Sequence, residues 1–417
     1  MRFLLTTIFI SLLVSATFTS PAMASSGHGK HDNHGKTTDA NHEACLNDAL
    51  VPHCALAASS AFDPDGHLWV LWTTKNQVLL SQSMDFGLKF QPAIVIHEGE
   101  HGVSSSQEGR PLIEITPNGD MYLLYRVSEP GRHAGYVYFS SSLDNAQSFS
   151  APKLLSDETE PTFNAFHAIA VEEDGTITVA WLDKRDRLLA KAAEKPYNGS
   201  AIYFAQSTDR GKSFGKNVKI ADFTCQCCRT MLRPNGKKGV MLAWRHIFDE
   251  NIRDHGVVTI QDGAVEGGVK RISLDNWYVE GCPHHGPTLV TDQRDRIHTA
   301  WFSGGGVRTG LFYAHSDNQG ESFSSPMAFG GPAAASHPYL EVAGRLLVLV
   351  WKEFDGETTK IKMMSSPDQG YHWTDPVTVA STQSGSGHPI LISDDGWLYL
   401  SWRTVSEGYR LYKIAAK

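Results

Sequence analysis

The sequence predicts an all-β fold, a β-propeller of four-stranded blades, with seven blades. Three observations carry that prediction. Short runs alternating at period two end on an aromatic at Trp72, Tyr125, Trp181, Trp244, Trp301, Trp351 and Trp402, spaced 50 to 63 residues apart, about one blade each. A turn pattern, S-x-D-x-G-x-x-F, recurs between later strands of the same units. The 417 residues are 41% hydrophobic and 10% aromatic with 37 glycines, and beyond the first residues no helical periodicity is sustained.

Taken in order, residues 1–24 read as a secretory signal. Arg2 supplies the positive start, Phe3 to Val14 the apolar run, and Ala22-Met23-Ala24 the cleavage site. The apolar run is too short to span a membrane comfortably, and no later segment is apolar enough. The mature chain is therefore expected in the periplasm or outside the cell. Residues 25–44 form a polar tail with His28, His31, His34 and His42, either a collector of transition-metal ions or a solvated linker. Residues 45–417 form the propeller. A net charge of −8 argues against nucleic acid as partner, leaving a small-molecule or glycan ligand.

Within each unit a strand, a turn and the aromatic-ending strand are followed by a third strand, usually the turn pattern, and a fourth strand such as Pro92 to His97 or Pro376 to Ala380. The turn pattern is complete at Ser83–Phe90, Ser207–Phe214 and, with Trp last, Ser366–Trp373. Ala146 replaces Gly in Ser142–Phe149, and Asn318 replaces Asp in Ser316–Phe323. Asp and Ser can bond nearby amides, and Gly takes a positive φ. Unit 4 keeps its third strand, His255 to Gln261, but has no such turn. The last unit lacks a fourth strand, which Leu46 to Val51 is expected to supply, removing an open edge.

These turns fix which way each blade points, and so where first strands begin. Fourteen to sixteen residues before each aromatic stand Ala58, Arg110, His167, Arg229, His285, His337 and His388. Arg126, Asp183, Arg245, Glu353 and Arg403 follow the aromatics at the same face. A funnel lined by Arg110, His167, Arg229, His337 and His388 suits an anionic ligand, with Arg as bidentate partner.

The six cysteines fall near the starts of first strands: Cys45 and Cys54, Cys225-Gln226-Cys227-Cys228, and Cys282-Pro283-His284-His285. One reading is three disulfides, including Cys45–Cys54. The other is a metal site built from Cys225, Cys227, Cys228, Cys282, His284, His285 and His246, where thiolate with imidazole suits copper or zinc.

The turn pattern resembles the Asp box of the sialidase-like (BNR-repeat) superfamily, over residues 54 to 417. The resemblance implies a β-propeller, six-bladed in the sialidases. It also implies an arginine triad on a substrate carboxylate, for which Arg126, Arg245 and Arg403 are available. Asp183 or Glu353 would serve in acid/base work, and Tyr278 with Glu280 as nucleophile pair. The family's Phe/Tyr-Arg-Ile/Leu-Pro stretch is absent, with Gly109-Arg110-Pro111 the nearest segment. The chain is also similar to bacterial exported sialidase-like proteins with C-x-C-C and C-P-x-x-G-P segments. Three functions follow as expectations: a propeller binding a transition metal or an anion in its funnel, an exo-sialidase or related glycosidase acting on acidic sugars, or a non-catalytic binding module.

Overall fold

The computed structural model describes Cys45 and residues 50–416, apart from 105, 130–133, 159–161, 237–238 and 332–334. The expected signal, the histidine tail and most of the expected closing strand lie outside the described residues. No helix within them is long and apolar enough to cross a membrane.

Seven antiparallel sheets follow one another along the chain. In blade 1 the strands Ala57–Phe62, Leu68–Thr73, Gln77–Ser83 and Ile94–Glu98 pair in chain order. The next five blades repeat this. Blade 7 has three strands among the described residues, Ile390–Asp394, Trp397–Thr404 and Gly408–Ala416. First strands touch first strands around the whole ring, and Ile390–Asp394 touches Ala57–Phe62. The ring therefore closes with seven blades, not the six implied by the sialidases. Seven is what the aromatic spacing counts, and it includes blade 4, which has no box-like turn. His53 meets the last blade, its Nδ1 3.1 Å from the Tyr409 carbonyl.

Burial explains the aromatic spacing. Trp72, Trp181, Trp244, Trp301, Trp351, Trp402 and Tyr125 are all at most 2% exposed. Each belongs to an apolar cluster, and these clusters commonly bridge neighbouring blades; Trp181 shares one with Tyr122, Leu124 and Phe139 of blade 2. Removing ~200 Å² of indole from water contributes about 5 kcal/mol before entropy is counted.

The recurrent turns are closed by one set of bonds. The Ser207 hydroxyl accepts from Gly211 N at 2.9 Å and donates to Asp209, whose Oδ1 accepts from Ser213 N at 2.9 Å. The same bonds recur at Ser83, Ser142, Ser316 and Ser366. They also tie blade to blade. Phe214 packs edge-on to Phe139 of the preceding blade at 4.9 Å, and Arg210 Nε donates to Asp120 there at 2.7 Å. Gly211 has φ +77°, and a Cβ on it would stand 2.6 Å from the Phe139 ring. Both handedness and space demand glycine. Blade 4 replaces this device with a two-residue turn, Asp262 and Gly263, both at positive φ, the form that suits a tight hairpin.

One helix, Arg185–Ala192, was not expected. Its residues are good helix formers with Asp186 in the first turn, but none is buried. It therefore carries no apolar stripe by which a sequence reading could find it.

Candidate functional site

The starts of the first strands bring the Arg/His register together. Side chains two apart on a strand share a face, so Arg110, Leu112 and Glu114 descend one blade, and Arg229, Met231 and Arg233 another. These six residues, with Glu108, His167, Tyr339 and Glu341, line a central cavity of 330 Å³.

Glu108, which sequence reasoning missed, stands at the head of this cluster. Its Oε1 lies 3.2 Å from His388 Nε2, 3.6 Å from His337 Nε2 and 3.7 Å from Arg229 Nη1. Its Oε2 accepts from the Arg229 backbone N–H at 3.1 Å. The His337 and His388 rings stack at 3.6 Å, and His285 approaches His337 at 4.6 Å. His337 has φ +51° beside a register shift between Ser336 and Tyr339, a bulge that re-aims the side chain. Glu108 stands two residues before Arg110 in a bend ahead of the first strand, Leu112–Ile115, where the aromatic register does not reach.

Burial works to raise the Glu108 carboxyl. His388, 3.2 Å from its Oε1, and the charge of Arg229 overcome it, and its pKa falls to about 2. Burial pushes His388 down to about 4, and His285, with the charge of Arg245, to about 3. His167 is depressed to about 3 by burial and the nearby Arg126. At neutral pH the site thus holds an ionised carboxylate among neutral imidazoles. Arg110 is 8% exposed and donates to the Gln107 carbonyl; Arg229 donates to that of Pro338 at 2.9 Å.

The cysteines form a second cluster. Cys45–Cys54 is a disulfide, but Cys225, Cys227, Cys228 and Cys282 are free thiols. This corrects the three-disulfide reading. Cys225 Sγ lies 3.7 Å from Cys227 Sγ and 3.5 Å from Cys228 Sγ, and all three are buried with Phe166 packed against them. The hydrogen bonds from the other two thiols, aided by Arg245 and Arg253, hold the Cys225 thiol far below the usual range. Cys282 is exposed, yet Arg253 Nη1 donates both to the Gly281 carbonyl at 2.8 Å and to Cys225 Sγ at 3.5 Å. Gly286 follows in the same segment because a Cβ there would stand 2.4 Å from the Arg229 carbonyl oxygen.

The expected imidazole ligands go elsewhere. His246 sits between Trp244 and Phe248, 4.7 Å from the latter ring. His285 stacks on Phe302 at 4.2 Å, and the His284 carbonyl lies 3.2 Å from His337 Nε2. No imidazole accompanies the thiols in the described group of ligand atoms.

Arg126, Arg245, Asp183 and Glu353 of the glycosidase set are committed to structure. Arg126 donates to the Asn164 carbonyl at 2.7 Å, and Arg245 to those of Arg253, His285 and Phe302. Arg403 is the exception: its Nε is buried without a hydrogen-bond partner, and burial holds it below its usual range. Asp183, fully buried, accepts from Thr162, Asn164, Trp181 and Arg185. Glu353 accepts from Trp351 Nε1 at 2.7 Å. Tyr278 donates to Glu280 at 2.7 Å but stands 59% exposed.

No family model matches the chain, and no curated protein matches it. Solved structures do. An ulvan lyase of a polysaccharide lyase family aligns with a TM-score of 0.54 at 11% identity, over 87% of this chain and 95% of its own. A Hadza microbial sialidase aligns at 0.51 and 12% identity, over 87% and 75%. A protein of unknown function from Dyadobacter fermentans aligns at 0.50 and 14%, over 73% and 92%. The fold is thus a seven-bladed β-propeller, and the likeness to these solved structures is one of fold.

Proposed function

We propose that the protein is an exported β-propeller that binds a soft transition-metal ion, copper or zinc, through the thiolates of Cys225, Cys227 and Cys228. The observation that carries this reading is three buried, unbonded thiols converging beside two guanidiniums in a chain that does form a disulfide elsewhere. Three thiolates ~2.3 Å from one ion stand roughly 3.8–4.0 Å apart, against 3.5 and 3.7 Å between these sulfurs. Arg245 and Arg253 offset the buried negative charge that such a complex would carry. Three soft ligands alone favour copper(I). Cys282, one residue from the carbonyl that Arg253 holds, would supply the fourth thiolate that zinc prefers. Export is supported by the leader and by the Cys45–Cys54 disulfide.

The test is thiol counting with metal analysis on native protein purified without a histidine tag. One equivalent of copper or zinc is expected, with Cys225, Cys227 and Cys228 unreactive until the metal is stripped. A disulfide among those three, with no copurifying metal and none taken up after reduction, overturns the reading.

A second reading, binding or cleavage of an acidic sugar at the funnel, is favoured by likeness to structures named as a sialidase and an ulvan lyase. Absence of both binding and turnover across a panel of acidic glycosides removes it.

A further inference from the structure

A second ligand set, of different chemistry, lies at the head of the channel. Glu108, His337 and His388 come from loops or strands that begin blades 2, 6 and 7, so their convergence is a product of ring closure and not of a local turn. Their ligand atoms lie within 4.8 Å of one another. The side chains are 7%, 14% and 14% exposed. Glu108 Oε1 is buried and faces the two imidazoles without a well-aligned hydrogen-bond donor.

The distances suit an ion. Ligands ~2.0–2.1 Å from a tetrahedral centre stand roughly 3.3–3.5 Å apart. Glu108 Oε1 is 3.2 Å from His388 Nε2 and 3.6 Å from His337 Nε2. The stacked rings run nearly parallel, at 11°, so one imidazole must turn to aim its lone pair at the ion. The competing charges are Arg229, 3.7 Å from Glu108 and anchored by the Pro338 carbonyl, and Lys352, which bears on both imidazoles.

We propose that Glu108, His337 and His388 bind a divalent transition-metal ion of zinc-like character, independently of the tricysteine cluster, with an open coordination position toward the central cavity. Two imidazoles and one carboxylate form a harder set than three thiolates, and they select a borderline divalent ion over copper(I). Three protein ligands beside a cavity leave room for a water or a ligand oxygen on the ion. The histidines of the register then serve as ligands of a cation and not as receptors of an anion.

Cobalt(II) titration tests this. The full chain carrying Cys225→Ser, Cys227→Ser and Cys228→Ser is expected to bind cobalt without the near-ultraviolet sulfur-to-cobalt absorption. Adding Glu108→Gln or His388→Gln should remove one equivalent, or weaken it by roughly 100-fold or more. Histidines of the tail are present in every protein and cancel in the comparison. Glutamine at 108 keeps an acceptor for the Arg229 N–H, and circular dichroism checks each fold; should one variant not fold, the other carries the test. Equal cobalt stoichiometry and affinity with and without these substitutions overturns the proposal. Failure of the tricysteine reading shows separately, as absence of the sulfur band in the parent protein.

Discussion

Asp183→Asn separates scaffold from catalysis. The carboxylate is fully buried and accepts from Thr162 Oγ1 at 3.2 Å, Asn164 Nδ2 at 2.8 Å, Trp181 Nε1 at 3.0 Å, and the Arg185 backbone and guanidinium at 2.8–3.0 Å. An amide keeps one acceptor oxygen and turns an NH2 toward donors. Breaking one side of a buried pair costs about 3–5 kcal/mol. Arg185 retains Asp157, Ser156 and Asn217 as partners, so its charge is not stranded, and the lower figure applies. With an unfolding entropy of ~2.1 cal/mol/K per residue over roughly 370 residues, about 3 kcal/mol lowers the melting midpoint by about 4 °C. Thermal denaturation followed by circular dichroism reads this, beside hydrolysis of a fluorogenic sialoside. A variant that melts within about 1 °C of the parent and loses glycoside turnover refutes the scaffold argument and restores Asp183 as an acid/base residue.

Arg245→Met should leave the carbonyls of Arg253, His285 and Phe302 without their donor. The expected loss is about 3 kcal/mol, read as a lower urea midpoint; an unshifted midpoint would show that the guanidinium is free for a ligand. Gly211→Ala places a Cβ 2.6 Å from Phe139 at φ +77°, whereas Gly267→Ala, at φ +66°, meets nothing within 4 Å. The first should cost roughly 3 kcal/mol and the second about 1, and equal melting points would remove the close-approach argument. His167, depressed from 6.5 to about 3, takes up its proton first in the unfolded chain. Its contribution is complete above pH ~6.5 and falls as pH drops toward 3, by up to ~1.4 kcal/mol per unit. His167→Gln should therefore flatten stability against pH in that window, and an unchanged slope would contradict the burial assigned to it.

The fold was legible because its repeat is written twice. The seven aromatics mark second strands through burial alone, and the box-like turns mark the junction of third and fourth strands through their own hydrogen bonds. His255–Gln261 was placed to the residue, since strand alternation there is regular and a tight turn follows. The site was legible only in register. Strand period places Arg110, Arg229 and His337 at one level of the channel, but it does not say what each side chain holds. Arg245 and Asp183 have the residue types of a catalytic set and sit in the right rows. The carbonyls that hold Arg245, and Thr162 and Asn164 beside Asp183, come from other parts of the chain that no spacing announces. The cysteines show the same limit: proximity of Cys225, Cys227 and Cys228 is evident from the chain, whereas the departure of His246 and His285 to aromatic neighbours depends on packing.

Charge, counted by position, changes what the funnel can be. From the register it reads as six cationic or potentially cationic side chains with no acid among them. In the fold, Arg110 and Arg229 share the channel head with Glu108, and deeper Arg233 lies among Glu114 and Glu341. Burial raises both of those carboxyls while Arg233 opposes it. The histidines add no charge at neutral pH, because burial and the neighbouring guanidiniums and Lys352 keep them unprotonated. An anion entering this channel meets guanidiniums that share its walls with carboxylates, and it gains little from net attraction. A divalent cation meets the opposite arrangement. Glu108 is already ionised, and the ion must displace the Arg229 contact and the hydrogen bond from His337 Nε2 to the His284 carbonyl. The histidine-rich register is thus explained more economically by a metal at its centre than by a ring of receptors for a carboxylate.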